Sequence, residues 1–151
     1  MSQHNKAPIL LVEDNGNDVL LIKRAFKKAK IANSIQVVGD GDAAVAYLAG
    51  EGQYADREAY PMPALVLLDL KLPRRSGFEV LGWVRTQPVL KRLPVLILTS
   101  SRENVDIDRA YDLGANSYLV KPVTFEALQE IMHAIDVYWL VLSEIPSMDA
   151  V

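Results

Sequence analysis

Five short apolar runs, separated by stretches with helical spacing, set the pattern of this chain. The third run, 64–70, is apolar throughout except for one aspartate, Asp69. A run of this length is too short to cross a membrane and is typical of a strand buried on both faces. The five predicted strands are 9–13, 35–39, 64–70, 94–100 and 117–120.

Apolar residues at helical spacing predict a helix after each strand. In the first of these segments Val19, Ile22 and Phe26 fall on one helical face. Five alternations of strand and helix predict an α/β fold with a doubly wound, five-stranded parallel sheet. The predicted helices are 18–31, 42–50, 77–87, 103–114 and 124–143, and a long polar connection, 51–63, precedes the third strand.

Polar side chains follow the predicted strands at their carboxyl ends. Doubly wound sheets bind ligands outside these ends, so residues far apart in sequence should meet there in one cleft. The residues are Glu13 and Asp14 after the first strand, Asp69 after the third, Thr99 and Ser100 after the fourth, and Lys121 after the fifth.

The chemistry of this set favours phosphoryl transfer. Neighbouring carboxylates repel one another unless a cation neutralises them, and hard oxygen ligands without histidine or cysteine favour Mg²⁺. A lysine and a hydroxyl beside such a cluster suit a phosphoryl group, whose oxygens need cationic and hydrogen-bonding donors. On this interpretation Asp69 is a nucleophile that forms an aspartyl phosphate.

Each residue also has a simpler explanation. Asp14 is in a position to cap the first helix, Thr99 is an ordinary β-branched strand residue, and Lys121 is a surface lysine before a proline. Asp69 is different, because a carboxylate that ends an apolar strand is costly to bury and has no capping role there. The phosphoryl-transfer interpretation depends on all of these residues reaching the same edge of the sheet.

Composition excludes several other classes. A net charge of −3 over 151 residues gives no reason to expect nucleic-acid binding. The chain has no cysteine and only two histidines, which argues against disulfides, thiolate metal sites and histidine-built metal sites. The polar N-terminus lacks the apolar core of a signal peptide, and the apolar run 137–142 is too short for a membrane span. We therefore expect a cytoplasmic protein without a membrane partner.

Four motifs together resemble the receiver domain of two-component response regulators: "LLVEDN", "LLDLKLPRRSGFEVL", "PVLILTSS" and "GANSYLVKP". The resemblance covers about 8–143 and implies a flavodoxin-like (βα)5 fold with strand order 2-1-3-4-5. It also implies a receiver domain over 8–144, a disordered tail over 1–7, a C-terminal tail over 145–151 and no output domain. Such a stand-alone receiver would signal through protein contacts and promote its own phosphorylation and dephosphorylation, without turning over a separate substrate.

The resemblance assigns a role to each matching residue. Asp69 is the implied phosphorylation site, and Lys121 contacts the phosphoryl oxygens and is joined to Pro122 by a cis peptide bond. Thr99 turns inward to bond the phosphoryl group, and Tyr118 follows it from an exposed to a buried rotamer. Ser100, as a small residue, leaves phosphoryl access open.

The metal site is implied in the same way. Asp14 and Asp69 would bind Mg²⁺ directly together with the backbone carbonyl of Lys71, and Glu13 would act through water. The chain departs from the family at "RRSG", where an acidic residue is usual before the glycine. Lys71 and Ser101 would flank the path of the attacking water and so tune the lifetime of the phosphoryl group.

The partners follow from the resemblance as well. The phosphoryl group would come from a histidine kinase, such as one of the phytochrome type, or from a phosphotransfer protein. A homodimer is indicated by the last helix itself, which is apolar all round over 137–142, more than a single buried stripe can use. These residues either pack under the chain terminus or form a protein interface, most simply a symmetric homodimer through the fourth and fifth helices and the switching face that they form with the fifth strand. The basic stripe of the first helix is either a solvated face or a kinase-docking surface. The residues concerned are Lys23, Arg24, Lys27 and Lys28 in the stripe, and Leu128, Ile131, Ile135, Tyr138 and Leu142 on the core face of the last helix.

Three other functions compete with phosphoryl acceptance. An enzyme of the haloacid-dehalogenase type needs a second aspartate two residues after the nucleophile, where this chain has Lys71. A flavodoxin-like or nucleotide-binding module would need a glycine-rich phosphate loop that the sequence lacks. A phosphorylation-independent adaptor remains the main alternative, although it would not need the full set of Asp14, Asp69, Thr99 and Lys121.

Overall fold

The computed structural model describes residues 7–144 and Pro146, without the side chain of Leu142. The strands are β1 (Ile9–Val12), β2 (Ile35–Val38), β3 (Leu65–Leu68), β4 (Val95–Thr99) and β5 (Ser117–Val120). The helices are α1 (Gly16–Lys28), α2 (Gly41–Ala49), α3 (Gly77–Thr86), α4 (Asn104–Asp112) and α5 (Phe125–Ile135). A π-helical segment, Asp136–Leu142, continues α5.

The five strands form one parallel sheet in the order β2-β1-β3-β4-β5, which confirms the predicted fold class and strand order. In register, Val12 of β1 lies between Val38 of β2 and Leu68 of β3. These three residues end their strands at one level, so the residues that follow β1 and β3 leave the sheet side by side. The topology therefore delivers the predicted polar residues to one edge.

Helices cover both faces of the sheet. Alternate residues of the central strands point to opposite faces, with Leu10 packed among side chains of α2 and α3 and Leu11 among those of α1 and α5. Leu67, at the centre of β3, has no exposed surface. Burying a leucine side chain fully contributes roughly 1.5–3 kcal/mol, so these two apolar layers hold the sheet edge in place.

The first helix begins two residues earlier than predicted. The side chain of Asn15 caps α1 by accepting a hydrogen bond from the Asp18 backbone N–H at 3.0 Å. Because Asn15 fills the capping position, Asp14 is free of that role and lies exposed beyond the end of β1. The capping explanation for Asp14 is therefore wrong.

The predicted core face of the last helix is wrong in its final turn. Leu128 and Ile135 are buried as expected, but Tyr138 is 58% exposed, and Leu140 is buried in its place. The cause is the π-helical register, in which hydrogen bonds join residues five apart, as from Ser143 N–H to the Tyr138 carbonyl. Each turn then holds more residues, so the inward-facing position moves from 138 to 140.

The long polar connection is fixed to the domain by one arginine. The Arg57 guanidinium donates to the backbone carbonyls of Tyr47 at 2.8 Å, Leu48 at 2.9 Å and Tyr60 at 3.1 Å. The carbonyls of Tyr47 and Leu48 belong to the last turn of α2, where backbone acceptors are not fully satisfied within the helix. Arg57 thus caps α2 from the connection, and the rings of Tyr47, Tyr54 and Tyr60 pack edge to face beside it.

The predicted tails, 1–7 and 145–151, lie outside the described residues except at Ala7 and Pro146. Ala7 packs against the α1–α5 side of the core, and its carbonyl accepts a hydrogen bond from the Asn33 amide at 2.7 Å. Within the described part of the chain, no helix is long and apolar enough to cross a membrane.

Candidate functional site

The backbone fixes the acidic residues at the carboxyl edge of the sheet. The Glu13 N–H donates to the Val38 carbonyl at 3.1 Å, and the Asp69 N–H donates to the Val12 carbonyl, also at 3.1 Å. These bonds extend the β1–β2 and β1–β3 ladders by one step beyond the strands. The backbones of Glu13 and Asp69 are therefore positioned by the same kind of hydrogen bond as the strands, and their carboxylates project from the end of the sheet.

The Lys121 ammonium lies at the centre of the site and donates to three carboxylates. It bonds Glu13 Oε1, Asp18 Oδ2 at 2.9 Å and Asp69 Oδ2 at 3.0 Å. An ammonium group has three N–H donors, so all of them are used. The Lys121 backbone N–H also donates to the Thr99 carbonyl at 2.7 Å, which ties the lysine to the end of β4.

Burial and ion pairing act in opposite directions on these groups. Burial alone would lower the pKa of Lys121, but its hydrogen bonds to Glu13, Asp18 and Asp69 raise that pKa above its ordinary value. Burial raises the pKa of Glu13, and the hydrogen bonds from Lys121 and Asn15 oppose that rise without cancelling it. Lys121 is therefore a fixed cation within the cluster.

The acidic cluster suits a divalent cation. Carboxylate oxygens of Glu13, Asp14 and Asp69 lie within 4.8 Å of one another, with Asp14 exposed at the open side. All three offer hard oxygen ligands, the type that Mg²⁺ and Mn²⁺ accept. Both Glu13 oxygens already accept hydrogen bonds, one from Lys121 and one from the Asn15 N–H at 3.1 Å. The donor set fits a bound cation, with the exposed Asp14 as the most available of the three ligands.

Asp69 has one oxygen fixed by its own loop and one facing the lysine. Oδ1 accepts a hydrogen bond from the Leu70 N–H at 2.7 Å, and Oδ2 faces Lys121. The start of α3 packs tightly against this residue, since a Cβ on Gly77 would lie 2.1 Å from the Asp69 carbonyl oxygen. Only glycine fits at position 77, and its contact holds the loop after Asp69 close to the strand end.

The "RRSG" segment has a structural explanation. The Arg74 and Arg75 side chains form ion pairs with Asp40 at 3.6 Å and Asp42 at 3.1 Å, at the start of α2. Ser76 then begins α3 with a capping box shared with Glu79. A capping serine thus stands directly before Gly77, where an acidic residue is usual, and the two arginines before it pair with carboxylates at the start of α2. Lys71 is exposed at the start of this loop, and the role of its carbonyl as a metal ligand stays a prediction.

Thr99 lies at the predicted strand end but is turned into the protein. It is 1% exposed, and its hydroxyl has no hydrogen-bond partner among the described residues. Leaving a buried hydroxyl unsatisfied costs about 1–3 kcal/mol. Ser100, the next residue, forms the wall of the cleft at this point.

Tyr118 is half-buried and linked to the loop after β4. Its hydroxyl donates to the Ser101 carbonyl at 3.0 Å, and the Ser101 hydroxyl donates to Asp106 in the first turn of α4 at 2.6 Å. The predicted aromatic switch residue therefore contacts the backbone two residues after Thr99. Ser101 is directed toward α4 by its bond to Asp106.

The Lys121–Pro122 bond is trans, since the described residues contain no cis peptide bond, and the predicted cis bond is wrong for this structure. A trans bond is the intrinsically favoured form before proline, by about 0.5–1 kcal/mol. The Lys121 N–H and ammonium both reach their partners with this geometry. The lysine therefore reaches the acidic cluster without a cis bond.

Asp18 is the site residue that the sequence did not predict. It occupies the first turn of α1, three residues after the cap, where an acidic residue normally indicates only a favourable interaction with the helix dipole. Its distance of 2.9 Å from the Lys121 ammonium depends on how α1 packs beside α5, the helix that follows Lys121. The one available signal was its place in the first turn of the helix that follows Glu13 and Asp14.

An open cleft of about 780 Å³ connects these groups to solvent. Its walls come from the β1–α1 loop, the start of α1 and the ends of β3, β4 and β5. The lining residues are Glu13, Asp14, Asn15, Gly16, Asn17, Asp18, Leu20, Asp69, Ser100 and Lys121. The cleft is large enough for a phosphoryl group with its donor side chain, and its only cation among these lining residues is Lys121.

Comparison with known proteins gives a consistent result. Residues 9–133 match the response regulator receiver domain family. Response regulator Rcp1 of Synechocystis sp. is 38% identical over 149 residues, which cover 97% of this chain and 99% of Rcp1. The crystal structure of the phosphorylated cyanobacterial phytochrome response regulator RcpA is 39% identical, with a TM-score of 0.86, and the match covers 94% of this chain and 99% of RcpA.

A second solved structure bears on the acidic cluster. The Mn²⁺-bound form of response regulator Rcp1 is 38% identical to this chain, with a TM-score of 0.83. That match covers 93% of this chain and 99% of Rcp1. Similarity of this extent includes the strand ends on which the cluster is built.

Proposed function

The chain belongs to the response regulator receiver domain family, and we propose that it accepts a phosphoryl group on Asp69 from a histidine kinase in two-component signalling. The observation that carries the proposal is the Lys121 ammonium, 3.0 Å from Asp69 Oδ2 at the open end of the sheet. A cation held at the acceptor oxygen is what an incoming phosphoryl group needs for charge stabilisation. The acidic residues beside it supply a cation site, for which Mg²⁺ is the proposed ion.

The proposed reaction moves one phosphoryl group between side chains. A carboxylate oxygen of Asp69 attacks the phosphorus of a phosphohistidine, an O–P bond forms, the P–N bond breaks, and the imidazole nitrogen keeps the electron pair. Lys121 donates hydrogen bonds to the phosphoryl oxygens, and the packing of Gly77 keeps the Asp69 loop in position. A Mg²⁺ ion held by Asp14, Asp69 and the Lys71 carbonyl, with Glu13 acting through water, would neutralise the developing charge.

We propose that the phosphoryl group is sensed by Thr99 and Tyr118. The new group adds about −1.5 to −2 charges and three acceptor oxygens, which offers the unpartnered Thr99 hydroxyl a bond that it lacks in this structure. A shift of Thr99 would move the loop after β4, and the Tyr118 hydroxyl is hydrogen-bonded to the Ser101 carbonyl of that loop. The change would then reach α4 and β5, because Ser101 is also bonded to Asp106.

The proposed phosphodonor is a histidine kinase of the phytochrome type, or a phosphotransfer protein. The proposal rests on the printed descriptions of RcpA and on the identity of 39% over nearly the whole chain. The docking surface would be α1, whose first turn borders the cleft and whose basic residues Lys23, Arg24, Lys27 and Lys28 are all exposed. Charge reversal of Lys23 and Lys27 should slow transfer from the kinase and leave labelling by acetyl phosphate unchanged.

The proposed output is a protein contact, most simply a homodimer through the face of α4, β5 and α5. Val105 and Tyr111 on α4 are 71% and 49% exposed, and Val141 of the π-helical segment is 59% exposed. Val105 and Tyr111 lie on α4, which the proposed switch reaches through the hydrogen bond between Ser101 and Asp106. Sedimentation as a monomer at micromolar concentration, with and without phosphorylation, would contradict the dimer.

Intact mass spectrometry after incubation with acetyl phosphate and Mg²⁺ tests the acceptor. We expect one phosphoryl adduct that is absent from Asp69→Asn and from metal-free protein. Asp56→Asn is a matched control, because Asp56 is an exposed aspartate whose side-chain oxygen only closes a turn to the Glu58 N–H. If neither acetyl phosphate nor a phosphorylated kinase labels the wild-type protein, the proposal fails and the adaptor alternative replaces it.

A further inference from the structure

Asp18 is the one carboxylate that holds Lys121 without belonging to the acidic cluster. The oxygens that lie within 4.8 Å of one another come from Glu13, Asp14 and Asp69. Asp18 lies on the first turn of α1, 2.9 Å from the ammonium, and its side chain is 34% exposed. Lys121 is therefore bonded to two residues of the cluster, Glu13 and Asp69, and to one residue outside it.

The position of Asp18 is fixed independently of Lys121. Its backbone N–H is bonded to the Asn15 cap, and Asn15 in turn donates its own N–H to Glu13. The carboxylate therefore projects from a capped helix end that is joined to the cluster by the β1–α1 loop. Lysine, in contrast, carries its charge on a flexible four-carbon stem and adopts whichever position its acceptors define.

A bound cation changes which acceptors remain to the lysine. Once an ion shares the oxygens of Glu13 and Asp69, their attraction for the ammonium falls, and the ion itself repels Lys121. Asp18 is then the acceptor whose full charge is still directed at the ammonium. The attacking oxygen and the phosphoryl group both need Lys121 in this state, because transfer takes place with the cation present.

We infer that Asp18 is a positioning residue that keeps Lys121 over the acceptor oxygen while the cation occupies the cluster. The inference rests on the proposed function and extends it to a residue outside the metal and acceptor set. Asp18 touches neither the phosphoryl group nor the cation; it acts through the lysine. Its substitution should therefore change the rate of phosphoryl transfer more than it changes the affinity for Mg²⁺.

The first test compares phosphorylation rates by intact mass at saturating Mg²⁺ and acetyl phosphate. Asp18→Asn should slow labelling roughly fivefold, the effect of weakening one charge-assisted hydrogen bond to the lysine. Asp18→Glu, which keeps the charge, should restore most of the rate. The control is Glu126→Gln, because Glu126 also lies in the first turn of a helix, is exposed, and is not among the acceptors of the Lys121 ammonium.

The second test measures the contact without phosphorylation. A double-mutant cycle on the free energy of unfolding, with Asp18→Asn and Lys121→Gln, should show coupling in metal-free protein and at least equal coupling in Mg²⁺. A role limited to the helix dipole would give additive effects, because the dipole interaction does not involve Lys121. Additivity in Mg²⁺, or an unchanged labelling rate in Asp18→Asn, would overturn the inference.

The outcomes separate this inference from the proposed function. If the wild-type protein is labelled and Asp18→Asn is labelled equally fast, Asp69 remains the acceptor and the role of Asp18 is lost. If the wild-type protein accepts no phosphoryl group from acetyl phosphate or from a phosphorylated kinase, both proposals fall together.

Discussion

The two sides of the cleft differ in how fully their polar groups are paired. On the β1–β3 side, Glu13 and Asp69 are held by strand ladders and by hydrogen bonds to Lys121 and to backbone N–H groups. On the β4 side, the Thr99 hydroxyl is buried without a partner in the described structure. The β1–β3 side therefore holds the acceptor and the lysine in place before the reaction. The Thr99 hydroxyl on the β4 side can form a new hydrogen bond only when the phosphoryl group is present.

Removing the Lys121 ammonium, the cation on the β1–β3 side of the cleft, should give the largest effect. Lys121→Ala would leave the buried Glu13 and Asp69 without their partner, and breaking such a pair typically costs 3–5 kcal/mol. We expect a loss on the order of 3 kcal/mol in the free energy of unfolding, measured by urea denaturation of metal-free protein. Lys121→Arg, which keeps the charge, serves as the control, and equal stability of Lys121→Ala and wild type would break the comparison.

Adding a cation to the same side should be the next largest effect. A ligand that binds only the folded state stabilises it by about 2.7 kcal/mol at one hundred times its Kd. The Tm should therefore be higher with Mg²⁺ than without it, and this increase in Tm should be much smaller in Asp14→Asn. A shift of equal size in Asp14→Asn would place the ion somewhere other than the acidic cluster.

Removing the Thr99 hydroxyl, on the β4 side of the cleft, should raise the stability of the unphosphorylated protein instead of lowering it. Thr99→Val replaces the unpartnered hydroxyl with a methyl group of similar size, so the resting protein should gain roughly 1 kcal/mol of stability. The same variant should shorten the lifetime of the phosphorylated form, because the bond that the hydroxyl would make is lost. A Thr99→Val protein that is less stable than wild type when unphosphorylated would show that the hydroxyl has a partner, such as an ordered water.

The smallest effect is expected at Tyr118, the second residue of the proposed switch. Tyr118→Phe removes one hydrogen bond, to the Ser101 carbonyl, and should cost about 0.5–1.5 kcal/mol in the free energy of unfolding. Tyr111→Phe is the control, because Tyr111 is an exposed tyrosine on α4. If the two variants lose the same stability, the Tyr118 hydroxyl does not fasten the loop after β4.

The sequence predicted the sheet closely, for a physical reason. The strands of a parallel sheet with helices on both faces are mostly apolar, and three of the runs here end at or beside Glu13, Asp69 and Lys121. Both signals are local. The predicted bounds of β5 therefore match the structure, and those of the other four strands differ from it by at most two residues at each end. Convergence at one edge followed from the topology rule for such sheets.

What escaped prediction depends on geometry that local patterns do not encode. The change to π-helical register after Ile135 exchanged Tyr138 for Leu140 in the core, and helical spacing of 3.6 residues cannot anticipate it. The role of Asp18 required the reach of a lysine 103 positions later in the chain. The ion pairs of Arg74 and Arg75 likewise needed the placement of α2 beside the loop that carries them.

The ammonium that neutralises the cluster is separated from Glu13 by 108 positions, which has a consequence for the newborn protein. At a synthesis rate of about 5–20 residues per second, roughly 5–20 s pass between the addition of Glu13 and that of Lys121. Until then the growing polypeptide carries its carboxylates without their counter-charge. The ribosome thus finishes most of the sheet before it delivers the residue that makes the acidic edge stable, and a chain cut short before that point would depend on a metal ion alone.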